Sequence, residues 1–111
     1  MKTFKDLTFV PHPNVEGGKA AFIDFDNERI VSVVTGASGF FTSDDKPYEV
    51  AFIKKGGGLG KVYLEERDLD IADKPIMVKE VILVEDEEGN DVAGYCTEED
   101  VTLIMEAIQK L

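Results

Sequence analysis

Alternating apolar and polar residues predict that the first half of the chain forms short β-strands. Between residues 19 and 26, apolar side chains alternate with acidic ones, which is typical of a half-buried strand. An apolar run at 29–35 follows, and the Asp-Asn-Glu sequence between the two runs contains an asparagine that tolerates the positive φ of tight turns. We therefore predict a β-hairpin over residues 19–35.

Similar runs predict the remaining strands, which lie at 7–10, 48–55, 61–65, 76–84 and 92–96. Four glycines among residues 56–60 predict a flexible loop between two of these strands, because glycine loses much conformational entropy on ordering. The paired charges Lys79 and Glu80 interrupt the apolar run at 76–84, which predicts a β-bulge at that point. The polar, acidic stretch from 65 to 74 is not predicted to be a strand.

The end of the chain predicts an α-helix over residues 98–111. Thr97 followed by Asp100 matches an N-terminal capping pattern, and acids at 98, 99 and 100 suit the positive end of the helix dipole. Apolar residues recur at helical spacing and are expected to cover one face of the sheet; they are Val101, Ile104, Met105, Ile108 and Leu111. The fold expected is α+β, a mostly antiparallel sheet of five or six strands packed against one C-terminal helix.

Length and composition fit one domain spanning residues 1–111. The 43% of hydrophobic residues is enough for a modest core, so the chain is not a disordered acidic tail. The single cysteine, Cys96, excludes an internal disulfide and suits a reducing compartment. The amino terminus lacks an apolar signal region and no apolar run is long enough for a bilayer span, so a cytoplasmic protein without a membrane role is expected.

The net charge of −11 is concentrated in the second half of the chain. Residues 1–64 contain eight acids and eight Lys or Arg, whereas residues 65–106 contain fifteen acids and three Lys or Arg. Such a segment would be repelled by free nucleic acid but attracted to a basic protein. We therefore expect a basic bacterial protein as the partner, with no direct contact to nucleic acid, and a homo-oligomer stays open.

The candidate partner-binding surface is the set of acids in this half. Its members are Glu65, Glu66, Asp68, Asp70, Asp73, Glu85, Asp86, Glu87, Glu88 and Asp91. Duplex DNA carries a negative charge about every 1.7 Å of its axis, so twelve net charges gathered on one surface would imitate roughly 20 Å of duplex. An undirected, solvated acidic surface is the plain alternative.

A second candidate is an anion-binding loop rich in lysine and glycine. Its members are Lys54, Lys55, Gly56, Gly57, Gly58, Gly60 and Lys61. A phosphate-binding Walker motif is excluded, because Lys55 occupies the position of its first glycine and Val62 that of its Ser or Thr. Consecutive glycine amides can still form an anion nest, although a plain connecting loop is the commoner outcome.

Neither a metal site nor an active site is predicted, and no cofactor is implied. Asp68 and Asp70 resemble the start of an EF-hand loop, but Asp73 stands at its glycine position and Lys79 at its closing acid. The only histidine, His12, is distant in sequence from Cys96, and a catalytic pair would need a third group to orient the base. We therefore expect a protein that is not an enzyme.

Four blocks of the sequence, at 4–13, 32–34, 48–51 and 91–101, resemble small uncharacterised proteins of tailed bacteriophages and prophages. The segment from about 54 to 88 departs from that pattern and contains most of the acidic residues. The resemblance implies expression inside a bacterial cell and a role in blocking host or defence machinery.

Three functions are compatible with these features. The leading hypothesis is an acidic inhibitor of a basic, nucleic-acid-binding host or defence protein, acting as a DNA mimic. The alternatives are a sponge that captures a phosphorylated or cyclic-nucleotide signal at the glycine loop, and an accessory to phage structure or assembly.

Overall fold

The computed structural model of the chain describes residues 1–56, 60–85 and 91–111. Its elements in chain order are a 3₁₀ turn at Phe4–Asp6, β1 at Val10–Pro11, β2 at Lys19–Asp24, β3 at Arg29–Thr35, β4 at Tyr48–Lys54, β5 at Lys61–Ile71, β6 at Lys74–Val84, β7 at Ala93–Cys96 and α1 at Glu98–Gln109. One antiparallel sheet has the order β1-β2-β3-β4-β7, and β5 and β6 form a separate two-stranded sheet. The predicted α+β class, with an antiparallel sheet and a C-terminal helix, is confirmed.

The predicted hairpin over 19–35 is formed by β2 and β3, which pair in continuous register with Phe22 opposite Ser32. The positive φ angles of its turn belong to Asp26 (63°) and Glu28 (69°) rather than to Asn27. The Asn27 side chain instead donates a hydrogen bond to the Ile108 carbonyl oxygen at 3.0 Å, which ties the turn to the end of α1.

One side of the five-stranded sheet packs against α1 and the inner ends of β5 and β6. The core consists of the buried residues Val31, Val33, Val50, Phe52, Val62, Ala93, Cys96, Val101, Ile104, Met105 and Ile108. We call this side of the sheet the helix side and the opposite side the back face. Four of the five residues predicted for the helix stripe are buried as expected, whereas Leu111 lies beyond the end of the helix and is exposed.

The predicted helix cap is confirmed. The Thr97 hydroxyl oxygen accepts a hydrogen bond from the Asp100 N–H at 3.2 Å, and Asp100 Oδ2 accepts one from the Thr97 N–H at 3.0 Å. This reciprocal pair satisfies two donors that the first helical turn would otherwise leave unpaired.

The amino terminus is held by aromatic packing rather than by the strand predicted at 7–10. The Phe4 ring centroid lies 5.0 Å from that of Tyr48 and 6.0 Å from that of Phe9, and the Phe4 N–H donates to Thr102 Oγ1 at 3.0 Å. Pro11 lacks an N–H and ends the short pairing with β2, so only Val10–Pro11 forms an edge strand.

Candidate partner-binding arm

The strongly acidic segment that was not predicted to be regular forms the most exposed part of the molecule. β5 and β6 pair without interruption from Lys61 opposite Val84 to Ile71 opposite Lys74. Eleven residues of strand span about 37 Å, and the principal-axis extents of the protein are 50 × 32 × 27 Å. We call residues 65–80, the part of this ribbon beyond the core, the arm.

The turn of the arm lacks the residues by which a hairpin turn is usually recognised in a sequence. Ala72 and Asp73 connect the two strands with φ angles of 53° and 61°, the left-handed pair that a two-residue hairpin turn requires. Alanine is disfavoured in this region because its Cβ crowds the backbone. The strand predicted at 61–65 therefore ended too early, because β5 continues to Ile71 and the turn after it lacks the glycine or asparagine that usually marks such a turn.

The predicted bulge at Lys79 and Glu80 was also wrong. Lys79 pairs in register with Glu66, and the register shift of the structure lies between β4 and β7, at Tyr48 and Val50. The charged pair interrupts the apolar alternation because Lys79 reaches the helix: its Nζ donates to Asp100 Oδ1 at 2.6 Å.

The inner end of the ribbon is fixed to the domain by buried and hydrogen-bonded residues. Val62 is fully buried, and its N–H donates to the Asp91 carbonyl oxygen at 3.1 Å. The Tyr63 hydroxyl donates to Asp91 Oδ2 at 2.5 Å. These contacts give the arm a defined direction at its base.

The ion pair between Lys79 and Asp100 is the deepest polar contact of this base. The Asp100 side chain is 3% exposed and the Lys79 side chain 34%. Burial alone would raise the pKa of Asp100, but the hydrogen bonds from Lys79 and Thr97 outweigh it and hold the pKa below its ordinary value. The same contact with Asp100 raises the pKa of Lys79.

The register divides the acids of the arm between two faces. Glu66, Asp68 and Asp70 lie on the face that continues from Val62, and we call them the carboxylate row. Glu65 and Glu80 lie directly opposite each other on the other face. Cross-strand like charges are destabilising, and Arg67 offsets this pair through an ion pair with Glu80 at 3.1 Å.

The structure therefore brings only part of the predicted acidic surface together. Asp73 lies in the turn of the arm, and Asp91 is hydrogen-bonded at its base. Glu85 is bound to Arg29, with Oε1 2.6 Å from Nε and Oε2 3.1 Å from Nη2. Asp86, Glu87 and Glu88 lie outside the described residues. The carboxylate row is the largest group of predicted acids that shares one face of the described structure.

The cations of the predicted anion-binding loop lie next to acids. Lys55 forms an ion pair with Asp24, and its N–H donates to the Glu28 carbonyl oxygen at 2.8 Å. Lys54 lies close enough to Glu85 to lower the pKa of that carboxyl, although the larger cause is the hydrogen bond from Arg29.

The glycines of this loop have separate roles where they are described. Gly56 is exposed with φ 78°, and Gly60 is buried against the ring of Phe52. Lys61 begins β5. Gly57 and Gly58 lie outside the described residues, so anion binding at the loop stays a prediction.

The histidine and the cysteine lie at opposite edges of the five-stranded sheet. His12 follows β1 and Cys96 ends β7; four inter-strand steps of about 4.8 Å separate these strands by roughly 19 Å. Burial raises the pKa of the Cys96 thiol to about 11, so the thiolate is scarce at neutral pH. Within 1–56, 60–85 and 91–111, no group of three or more His, Cys, Asp or Glu side chains is arranged to hold a metal ion.

One open groove of about 590 Å³ lies between the 3₁₀ turn and the start of α1. Its lining includes Phe4, Leu103 and the oppositely charged Lys5 and Glu98. Five of its seven lining residues are polar, and one of them, Thr102, already accepts the hydrogen bond from the Phe4 N–H. We take the arm as the better candidate site because the acids of its carboxylate row share one exposed face.

Stability is expected to fall in acid through Glu85 and Asp100. The hydrogen bond from Arg29 holds the pKa of Glu85 below its ordinary 4.5, and the contacts described above hold that of Asp100 below 3.8. A carboxyl with a depressed pKa in the folded state stabilises it fully above the ordinary pKa, and the contribution is lost as the pH falls. Urea unfolding at a series of pH values should therefore show a falling free energy of unfolding below pH 4.5.

A matched pair of variants tests whether Glu85 causes part of this loss of stability in acid. Glu85→Gln should be less stable than the wild type at pH 7 and should lose less stability between pH 7 and pH 3, because the titrating group has been removed. Asp44→Asn, a substitution of an exposed acid in the 43–46 turn, should leave the pH profile unchanged. An identical acid profile in the wild type and Glu85→Gln would contradict the role of Glu85.

Comparisons of the chain with protein-family models, with curated proteins and with solved structures find no match. The resemblance to small proteins of tailed bacteriophages therefore stays a prediction. In the part of the chain that the structure describes, no helix combines the length and apolar character needed to cross a bilayer.

Proposed function

We propose that this protein binds a basic protein through the carboxylate row of its arm and inhibits that partner by occupying its cationic groove. The single observation that carries the proposal is the arm itself, a ribbon that extends beyond the core and presents three acids on one face. A two-stranded ribbon buries little apolar surface of its own. Because the ribbon gains little stability from its own burial, its length favours a role in contact with another molecule.

The charges of the row favour a cationic partner. Lys79 lies 3.9 Å from Glu66 and partly neutralises the inner end of the row. Asp68 and Asp70 form no ion pair among the described residues, and both are exposed. Exposed carboxylates on a narrow support can approach Arg and Lys inside a groove and accelerate association at low ionic strength.

The spacing of the carboxylates in the row determines how closely the charge density of the arm resembles that of nucleic acid. Alternate residues of a strand lie about 6.8 Å apart, so the row offers one carboxylate per 6.8 Å, whereas duplex DNA has one charge per 1.7 Å of axis. The arm is thus a sparser anion than DNA. We propose a groove with a few well-placed cations, as in a nucleic-acid-binding host or defence protein, as the target class.

Removing the charge of the row should abolish most of the binding. The test variant combines Glu66→Gln, Asp68→Asn and Asp70→Asn, which keep the side-chain shapes. With about 1 kcal/mol per charge pair, the affinity for the partner should fall on the order of a hundredfold. A pull-down from bacterial lysate at low salt identifies the partner, and calorimetry with the purified partner measures the affinity at two salt concentrations.

The matched control combines Glu16→Gln, Asp44→Asn and Asp45→Asn, which remove the same charge from exposed positions of the sheet domain. Wild type and control should bind the purified partner with equal affinity, and both should bind more weakly at high salt. Equal weakening by both variants would show that only the net charge matters. An unchanged affinity of the row variant, or a lysate that yields no partner, would overturn the proposal.

A further inference from the structure

The back face of the five-stranded sheet is apolar although it points away from the core. Strand register and side-chain alternation assign its members, which are Val10, Ala20, Phe22, Ile30, Ser32, Val34, Ala51 and Ile53. Antiparallel sheets with one solvated face usually alternate apolar residues inward with polar residues outward. This sheet has apolar residues on both faces.

Most apolar residues of the back face are at least partly open to solvent, whereas Ala20 is buried with 1% exposure. Phe22 is 58% exposed and Val10 is 51% exposed. Ile30, Val34, Ala51 and Ile53 are each partly exposed. Contiguous exposed apolar surface on a soluble domain marks a contact site more often than isolated apolar residues do.

The charges of the molecule are distributed so that this face is suited to a second copy. α1 and the inner ends of β5 and β6 pack on the helix side, and the net negative charge lies in the segment 65–106, which includes the arm and most of α1. Within the strands of this sheet the back face has two acids: Asp24, which is paired with Lys55, and Glu49, which lies directly opposite Val34. Two copies of a chain of charge −11 repel each other, and a face with only two acids within its strands, one of them paired with a lysine, adds little to that repulsion.

Sheet packing gives this approach a definite geometry. Two sheets that pack face to face lie about 10 Å apart, and the charged layers on their far sides are then separated by more than the Debye length of about 8 Å at physiological salt. The five strands contain 2, 6, 7, 7 and 4 residues, and at about 4.8 Å by 3.4 Å per residue they cover roughly 420 Å² per copy, or about 850 Å² in all. That area is below the standard size of specific interfaces, so the dimer should be weak and transient, with a dissociation constant on the order of micromolar or higher.

We propose that the back face is the interface of a homodimer, in which two five-stranded sheets pack against each other and the two arms project from opposite outer sides. The symmetry is isologous, with Phe22 of each copy close to the centre of the contact. This inference is independent of the function proposed for the arm. If both hold, each dimer presents two partner-binding arms.

The test is the concentration dependence of the molar mass, measured by sedimentation equilibrium on the full chain. The wild type should approach twice the 12.3 kDa of one chain as its concentration rises through the micromolar range. Higher salt should strengthen the dimer, because it screens the repulsion between two anionic copies. Partner binding by the arm should weaken under the same change, so the two proposals fail separately.

Phe22→Lys is the decisive variant. Its side chain is already mostly exposed, so the fold should tolerate lysine there. The added cation lowers the net negative charge and would strengthen any nonspecific association, yet it places a charge in the apolar contact and should keep the protein monomeric. Leu103→Lys is the matched control, because Leu103 is exposed on α1 and the charge change is equal; it should dimerise like the wild type.

Amide chemical shifts locate the contact without a substitution. On dilution of the wild type, shifts should change along β2, β3 and β4 and stay constant in the arm. A wild type that remains monomeric at all salt concentrations, a dimer that survives Phe22→Lys, or dilution shifts confined to the arm would each overturn the inference.

Discussion

Replacing Phe52 with alanine is expected to lower the free energy of unfolding by about 3 to 5 kcal/mol. Phe52 is fully buried on the helix side of β4 and belongs to the main core. Deleting its ring removes buried apolar surface and leaves a cavity that a small domain fills only in part. A loss of this size is a large fraction of the stability of a typical domain, so urea unfolding should show a much lower midpoint.

Substitution of Gly60 tests whether the Phe52 ring fills the space next to the Gly60 backbone. A Cβ built on Gly60 would lie 2.6 Å from Phe52 Cε1 and closer still to Cδ1. The backbone of Gly60 is outside the positive-φ region, so Gly60→Ala should destabilise the wild type only through this clash, by about 1 to 3 kcal/mol. Combined with Phe52→Ala, the same substitution should cost almost nothing, because the added methyl group enters the space that the ring has left.

Gly39→Ala is the control for this cycle, since a Cβ at Gly39 meets nothing within 4 Å and its φ is not positive. It should change the stability by less than about 0.5 kcal/mol. Additive effects of Gly60→Ala and Phe52→Ala would contradict the contact between these two residues.

The parts of the fold that the sequence predicted are those with strong local signals. The α1 cap follows from Thr97 and Asp100, which lie three residues apart and bind each other directly. The β2–β3 hairpin follows from period-two alternation on both sides of a polar turn. In both cases the residues that determine the structure are neighbours in sequence.

The first strand and the turn of the arm, residues 65–74, could not be predicted in this way because their exposure removes the usual signal, whereas the returning strand was predicted at 76–84 and is formed by β6. Most residues of 65–80 are exposed on both faces, so apolar and polar residues do not have to alternate. Its turn uses Ala72 and Asp73, a pair without the glycine that marks most such turns. The acids of 65–74 were recognised as a candidate site, but not the ribbon that divides them between two faces.

The ion pairs that hold the charged half to the sheet are nonlocal and were also missed. Arg29 meets Glu85 across 56 positions, and Lys79 meets Asp100 across 21. One sequence contains no signal that pairs these residues. Lys79 and Glu80 were predicted to mark a β-bulge, whereas the charge of Lys79 neutralises the buried carboxylate of Asp100.

The arm and the back face use opposite physical properties of the same chain. The arm exposes charge on a narrow ribbon, which favours fast and salt-sensitive contact with a cationic partner. The back face exposes apolar surface on a broad sheet, where association gains from burial and from screening. Because the core and α1 lie between them, contact on one should leave the other accessible.

Replacing Lys79 with methionine is expected to lower the free energy of unfolding by about 2 kcal/mol. Breaking a fully buried ion pair from one side costs about 3 to 5 kcal/mol. The loss is smaller here because the Lys79 side chain is 34% exposed and water can reach the site. Methionine keeps most of the apolar stem but leaves the Asp100 carboxylate buried without its cation. Urea unfolding at pH 7 measures the loss.

Asp100→Asn should cost less, about 1 kcal/mol, although it alters the same ion pair. Asparagine can still accept the hydrogen bond from the Thr97 N–H, and Lys79 can turn to water or towards Glu66. With both substitutions in place, the total loss of unfolding free energy should be smaller than the sum of the two single losses, because no buried charge is left unpaired.

Hydrogen exchange should show faster opening of β6 in Lys79→Met than in Asp100→Asn. The reverse order of the two single losses would mean that the cap, rather than the neutralised acid, makes the larger contribution at this contact between arm and helix.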